Sequence, residues 1–151
     1  MALEDAIKKA RSIDPEEVFR LVFDREDVKQ KIIDLNTGDQ LFDKGIDSEG
    51  VELRSIDPRG GYSRRTIEEK QRKNLPTDRI TLFDEGVFYK SFRVDVQRGL
   101  AIISANIARI GEENFDRFGR KMVGLTDESL AILIQFILPF VQEEFRRALL
   151  A

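Results

Sequence analysis

A chain of 151 residues in which 41% of the side chains are hydrophobic and 35% charged fits one globular domain with a densely charged surface. It holds no cysteine and no histidine, which excludes a disulfide framework, a thiolate zinc site, a cysteine nucleophile and any mechanism built on an imidazole. The formal net charge of -3 hides an asymmetry, because only the stretch 51–100 carries more Lys and Arg than Asp and Glu.

The opening Met1-Ala2-Leu3-Glu4-Asp5 lacks the basic and apolar pattern of a secretory leader and reads as a cytosolic start. Asp14-Pro15-Glu16-Glu17 is a helix start: Asp14 caps, Pro15 fits the first helical position, and Glu17 stands at the capping-box position. Apolar residues at Val18, Leu21, Val22, Val28, Ile32 and Leu35 predict helix over about 15–36, in two pieces around the polar break 24–27. Gln40, Leu41 and Phe42 carry the helical period on to Lys44, and Gly45 is the expected stop.

Residues 45–62 change character, with four glycines, Pro58 and no sustained period, and predict a long loop or extended arm. Irregular stretches of this length are uncommon in a compact domain and are usually functional. Ser63 is placed to cap a helix across Arg64 to Lys73, closed by Leu75-Pro76. Val87 to Val96 reads as a strand with Phe88, Phe92 and Val94 on one side, and Gln97-Arg98-Gly99 as the turn of a hairpin reaching Ile107. The polar connector 112–122 is expected to be tacked to the core by Phe115 and Phe118.

Thr126-Asp127-Glu128 starts the final helix, with a capping hydroxyl and acidic residues at the positive end of the helix dipole. This helix is apolar on nearly every side through Val141, which calls for burial by more than one neighbour, and Pro139 is expected to kink it. Its apolar run, Leu130 to Val141, has about half of the ~20 residues a membrane span needs. The pattern as a whole predicts an α+β fold: a small antiparallel sheet packed against helices, a long extended loop and an apolar C-terminal helix.

Two constellations have the residue types of metal chemistry. Asp57 with Glu68-Glu69-Lys70 has the order of an acidic residue plus an E-x-K pair. In a Ser-capped amphipathic segment, however, these residues read as solvated helix surface. Asp47-Ser48-Glu49-Gly50 begins like a calcium loop, but Val51 follows where an oxygen ligand belongs and Pro58 stands at the closing-glutamate position. No phosphate loop or dinucleotide fingerprint is present, so no cofactor is expected. The cluster Arg54, Arg59, Arg64, Arg65, Lys70, Arg72 and Lys73 offers phosphate contacts, foremost Arg64, Arg65, Arg72 and Lys73, diluted by neighbouring acids and an overall pI of about 5.2.

The strings "KGIDSEGVEL" and "YSRRTIEEKQRKNLPTDRITLFDEGVFYKSF" resemble the pattern of bacteriophage virion-morphogenesis and tail-completion proteins. In that pattern a glycine and a G-x-x-L stretch precede a Ser/Thr-led helix containing a lysine, then a turn glycine and a strand. The matching positions are Gly45, Gly50, Leu53, Ser63, Lys70, Leu82, Gly86, Phe88 and Ser91, about a third of the chain, with Glu85 where the family usually has Thr. The resemblance implies a loop that reaches neighbouring subunits, a place in a ring at the neck or tail of a virion, and no catalytic residues.

The expected partners are therefore other copies of the chain in a ring homo-oligomer and neighbouring neck, portal-side or tail proteins. The expected location is the virion, after synthesis in the bacterial cytoplasm. Ile46, Val51, Leu53, Ile56 and Tyr62 on the loop, and Phe136 and Phe140 on the last helix, are the expected subunit-interface residues. On that reading, removing Asp47 to Asp57 spares the monomer and prevents assembly. The alternative is a small DNA-associated protein that uses the basic segment 54–73 for weak contact; no membrane partner is expected.

Overall fold

The structure, a computed structural model, describes residues 2–151. Its first element is a helix outside the expected ones, α1 (Leu3–Arg11), with Glu4 and Asp5 in the first turn and Lys8, Lys9 and Arg11 in the last. That charge order complements the helix dipole, and Leu3, Ala6, Ile7 and Ala10 share one face. No α1 residue is buried; the Lys9 ammonium reaches the Ala151 carbonyl at the other end of the chain.

The expected helix over 15–36 is two helices, α2 (Pro15–Phe23) and α3 (Glu26–Asp34), separated at Asp24-Arg25. The Asp14 carboxylate caps α2 by accepting from the Glu16 N–H at 3.0 Å. Glu17 closes no capping box; it pairs with Arg20 at 2.8 Å, and this guanidinium holds its carboxyl below the usual range. The helical path then runs on without a break, as a π-helix spanning Leu35–Lys44, and ends where Gly45 turns left-handed at φ 63°. At Gly45 a Cβ would lie 2.9 Å from the Ile80 carbonyl oxygen, so both conformation and space select glycine there.

The loop that follows contains a single turn of helix, α4 (Leu53–Ile56), and leads into α5 (Arg64–Arg72), whose N-terminus is capped by the Ser63 hydroxyl. The next segment departs from expectation. Val87–Lys90 forms a short helix, α6, launched by Gly86 at φ 82°, and the strand β1 begins only at Arg93 (Arg93–Gln97). Phe88 and Phe92 are therefore one turn apart, ring centroids 5.2 Å edge to face, and not alternate positions of a strand. A spacing of four residues satisfies both periods, so the aromatics alone left the choice open.

β1 pairs antiparallel with β2 (Leu100–Ser104), with Val94 opposite Ile103 and Gln97 opposite Leu100. The two-residue turn Arg98-Gly99 has positive φ at both positions, 43° and 77°, the geometry whose twist matches a hairpin. The connector forms α7 (Glu112–Phe118) and a 3-10 turn over Gly119–Met122. Phe118 and Met122 are buried, whereas Phe115 stays exposed. The last helix, α8 (Asp127–Leu150), is capped by the Thr126 hydroxyl, accepts Pro139 without breaking, and meets the α7 segment at 57°. No single helix among the described residues is long and apolar enough to cross a membrane.

The chain is thus α+β, with helices packed against a two-stranded antiparallel sheet, a long loop and a weakly apolar C-terminal helix. Two apolar clusters build its interior. One joins α2, α3, β1 and α8 through Val18, Val22, Ile32, Val94 and Leu133. The other gathers Leu41, Leu53, Ile80, Phe88, Phe92 and Met122 beneath the long loop. Ile33 and Ile103 pack against both clusters and tie them together.

Candidate functional site

The loop 45–62 is held by its own chain along its length. Asp47, fully buried, accepts from the backbone N–H groups of Glu49 at 2.9 Å and Val51 at 3.0 Å. This carboxylate shapes its own turn, which accounts for the fragment of a calcium pattern without any ion. The Ser48 N–H donates to the Lys121 carbonyl at 2.7 Å, Lys121 pairs with Glu49 at 3.1 Å, and Ile46 bridges to Glu52.

Leu53 is 0% exposed and belongs to the second cluster, so it has no surface to offer a neighbour; Ile56 and Tyr62 pack on the same cluster. Of the five loop residues expected at an interface, Val51 alone is exposed. The expected arm is a folded-back loop because its sparse apolar residues, Leu53, Ile56 and Tyr62, bury themselves in the same cluster as Phe88 and Phe92.

The basic segment is divided by burial. Arg64 and Arg65 stand in solvent and pair with Glu68 at 3.3 Å and Glu69 at 3.2 Å, one helical turn on. Lys73 pairs with Asp84, which raises its pKa, and Arg72 is exposed. Arg54 is structural, donating to the carbonyls of Gly60 at 2.8 Å and Asp78 at 3.2 Å. Lys70, expected on the solvated face with Glu68, is buried instead: its ammonium donates to the Phe83 carbonyl at 2.7 Å and lies 4.8 Å from the Tyr62 ring centre. Lys70 shares a helix face with the half-buried Ile67 and Thr66, three and four residues before it, but a lysine gives no apolar signal.

Asp57, the other member of the metal pattern, is also buried. Its carboxylate accepts from the Arg59 N–H at 3.0 Å and faces the Arg59 and Arg117 guanidinium groups at 3.5 and 3.9 Å. An aspartate already surrounded by cations is a poor ligand for another. Among the described residues no group of three acidic side chains is placed to hold a metal.

The open surface lies on α8. Phe136 and Phe140, expected to face a neighbour, pack inward on the first cluster, with the Arg25 guanidinium 3.8 Å from the Phe140 ring centre and Lys31 over Phe136. Leu130, Ile134 and Leu138 instead retain 42%, 56% and 44% of their surface, and Phe145 continues the row. These residues are spaced by four, four and seven positions, so they form one stripe about 22 Å long at 1.5 Å per residue. Because apolar residues surround the helix, the sequence did not reveal which face the fold would cover. The sequence matches no family model and no curated protein, and the fold matches no solved structure.

Proposed function

We propose that this chain is a non-enzymatic virion structural subunit of a phage neck or tail, of tail-completion or head-tail connector type, acting by ring assembly and protein contact. The observation that carries the reading is the uncovered α8 stripe of Leu130, Ile134, Leu138 and Phe145. A contiguous exposed apolar row of this length on a small soluble fold marks a contact surface. The resemblance of residues 45–92 to virion-morphogenesis proteins supplies the kind of assembly, and a ring requires two different complementary patches on each subunit. Neither the ordered loop nor the ion-paired Arg64 and Arg65 of α5 call for chemistry.

Replacing Ile134 and Leu138 together by glutamate tests the assembly surface. Exposed positions of this kind change stability by about 0.5 kcal/mol or less each, so the melting temperature should hold. Sedimentation should show the wild-type chain forming oligomers, alone or with portal-side or tail proteins, and the double variant remaining monomeric. Unchanged assembly of the variant would remove the α8 stripe from the interface, and a wild-type chain that stays monomeric with all such proteins would remove the virion reading.

A further inference from the structure

A polar cavity of about 470 Å³ lies between the loop, α5, the segment 80–84 and α7. Four carboxylates line it, and each has a cationic partner within the chain: Asp57 with Arg59 and Arg117, Glu69 with Arg65, Asp84 with Lys73, and Glu113 with Arg117. Two lining cations are left over. Among the described residues, neither Lys70 nor Arg109 has a carboxylate within ion-pair distance. Lys70 is the telling one: its ammonium has three donors, and the chain supplies one acceptor, the Phe83 carbonyl, and the face of the Tyr62 ring, but no anion.

A buried charge is costly unless it is paired and hydrogen-bonded. The cavity therefore has one well-defined chemical deficit, an anion against Lys70 and Arg109. The anion must be compact and weakly charged, because the cavity holds only about 470 Å³ and two leftover cations do not balance a polyanion such as a nucleic-acid backbone. We propose that this cavity binds a single carboxylate group, with Lys70 as its buried partner and Arg109 as its partner at the mouth. The carboxylate is supplied either by a small free acid or by an acidic side chain on a chain segment. This assignment goes beyond the assembly reading and does not depend on it, since the α8 stripe is a separate surface.

An NMR titration of the full chain distinguishes the sources, following the amide resonances of Lys70 and Phe83, with propionate as the free acid and an acetylated, amidated Gly-Glu-Gly peptide as the chain-borne one. Saturable shifts with both are expected. A tighter peptide assigns the site to a chain segment, and equal or weaker peptide binding assigns it to a free acid. Lys70→Gln should weaken binding about tenfold or more, as expected for a buried charged hydrogen bond. Arg109→Gln should weaken it about two- to fivefold, as for an exposed ion pair. Arg109 makes no side-chain bond among the described residues, so its variant decides the matter even if Lys70→Gln fails to fold. The proposal is overturned by absence of saturable shifts in the wild type, by undiminished binding in Arg109→Gln, or by inorganic phosphate binding more tightly than either carboxylate.

Discussion

Both tyrosines of the chain converge on one residue. The buried Thr81 donates its backbone N–H to the Tyr62 hydroxyl at 3.0 Å, and its carbonyl accepts from the Tyr89 hydroxyl. This clamp fixes an irregular segment in which Leu82 takes a positive φ of 57°, a conformation that costs energy and needs its surroundings to hold it. Burial, then the neighbouring Tyr62 and Asp43, push the Tyr89 phenol above its ordinary value. The unfolded chain therefore releases this proton first, at about pH 10. The contribution of Tyr89 to stability is complete below that pH and declines as pH rises through and beyond it. Melting curves from pH 8 upward should show a steeper alkaline loss in the wild type than in Tyr89→Phe, which at neutral pH should cost about 1 kcal/mol for the lost hydrogen bond.

At the level of elements, the π-helix over Leu35–Lys44 is the organising piece. Its wide turns bring Asn36 and Gln40, both fully buried, to the same strand of backbone. Asn36 donates to the Met122 carbonyl at 3.0 Å and accepts from the Gly124 N–H at 2.8 Å, while Gln40 donates to the Gly124 carbonyl at 2.8 Å and accepts from the Thr126 N–H at 2.9 Å. Four otherwise unpaired backbone groups between α7 and α8 are satisfied in this way. Asn36→Ala and Gln40→Ala each strand two of them in the interior, so each should cost about 1–3 kcal/mol in a urea unfolding measurement. The double variant should lose less than the sum, since both amides meet at Gly124.

For the whole molecule, the folded-back loop changes what a deletion does. Removing Asp47 to Asp57 takes away Leu53 at the centre of the second cluster and the carboxylates of Asp47 and Asp57 that shape the turns. The expectation that such a deletion spares the monomer is therefore replaced. The shortened chain should lose cooperative thermal unfolding by circular dichroism, and Leu53→Ala alone should destabilise it by about 2–5 kcal/mol. Assembly should be probed through α8, where substitution leaves the interior intact.

Caps and stops were legible one residue at a time, because they depend on local chemistry: Asp14, Gly45, Ser63 and Thr126 each do in the structure what their side chain or its absence dictates. The α+β class and the Arg98-Gly99 turn followed from the same short-range rules. Helix α1 was legible too, in its charge order and its apolar spacing. Tertiary structure alone decided which apolar face of α8 is covered, whether the loop 45–62 reaches outward or folds back, and that Lys70 lies inside. These are competitions between distant surfaces: Phe136 and Phe140 won a place on the cluster that includes α3, and Leu53 joined the cluster of Phe88 and Phe92. A sequence read along its length records which residues favour burial, but the burial itself is settled by which neighbours the rest of the chain brings within reach.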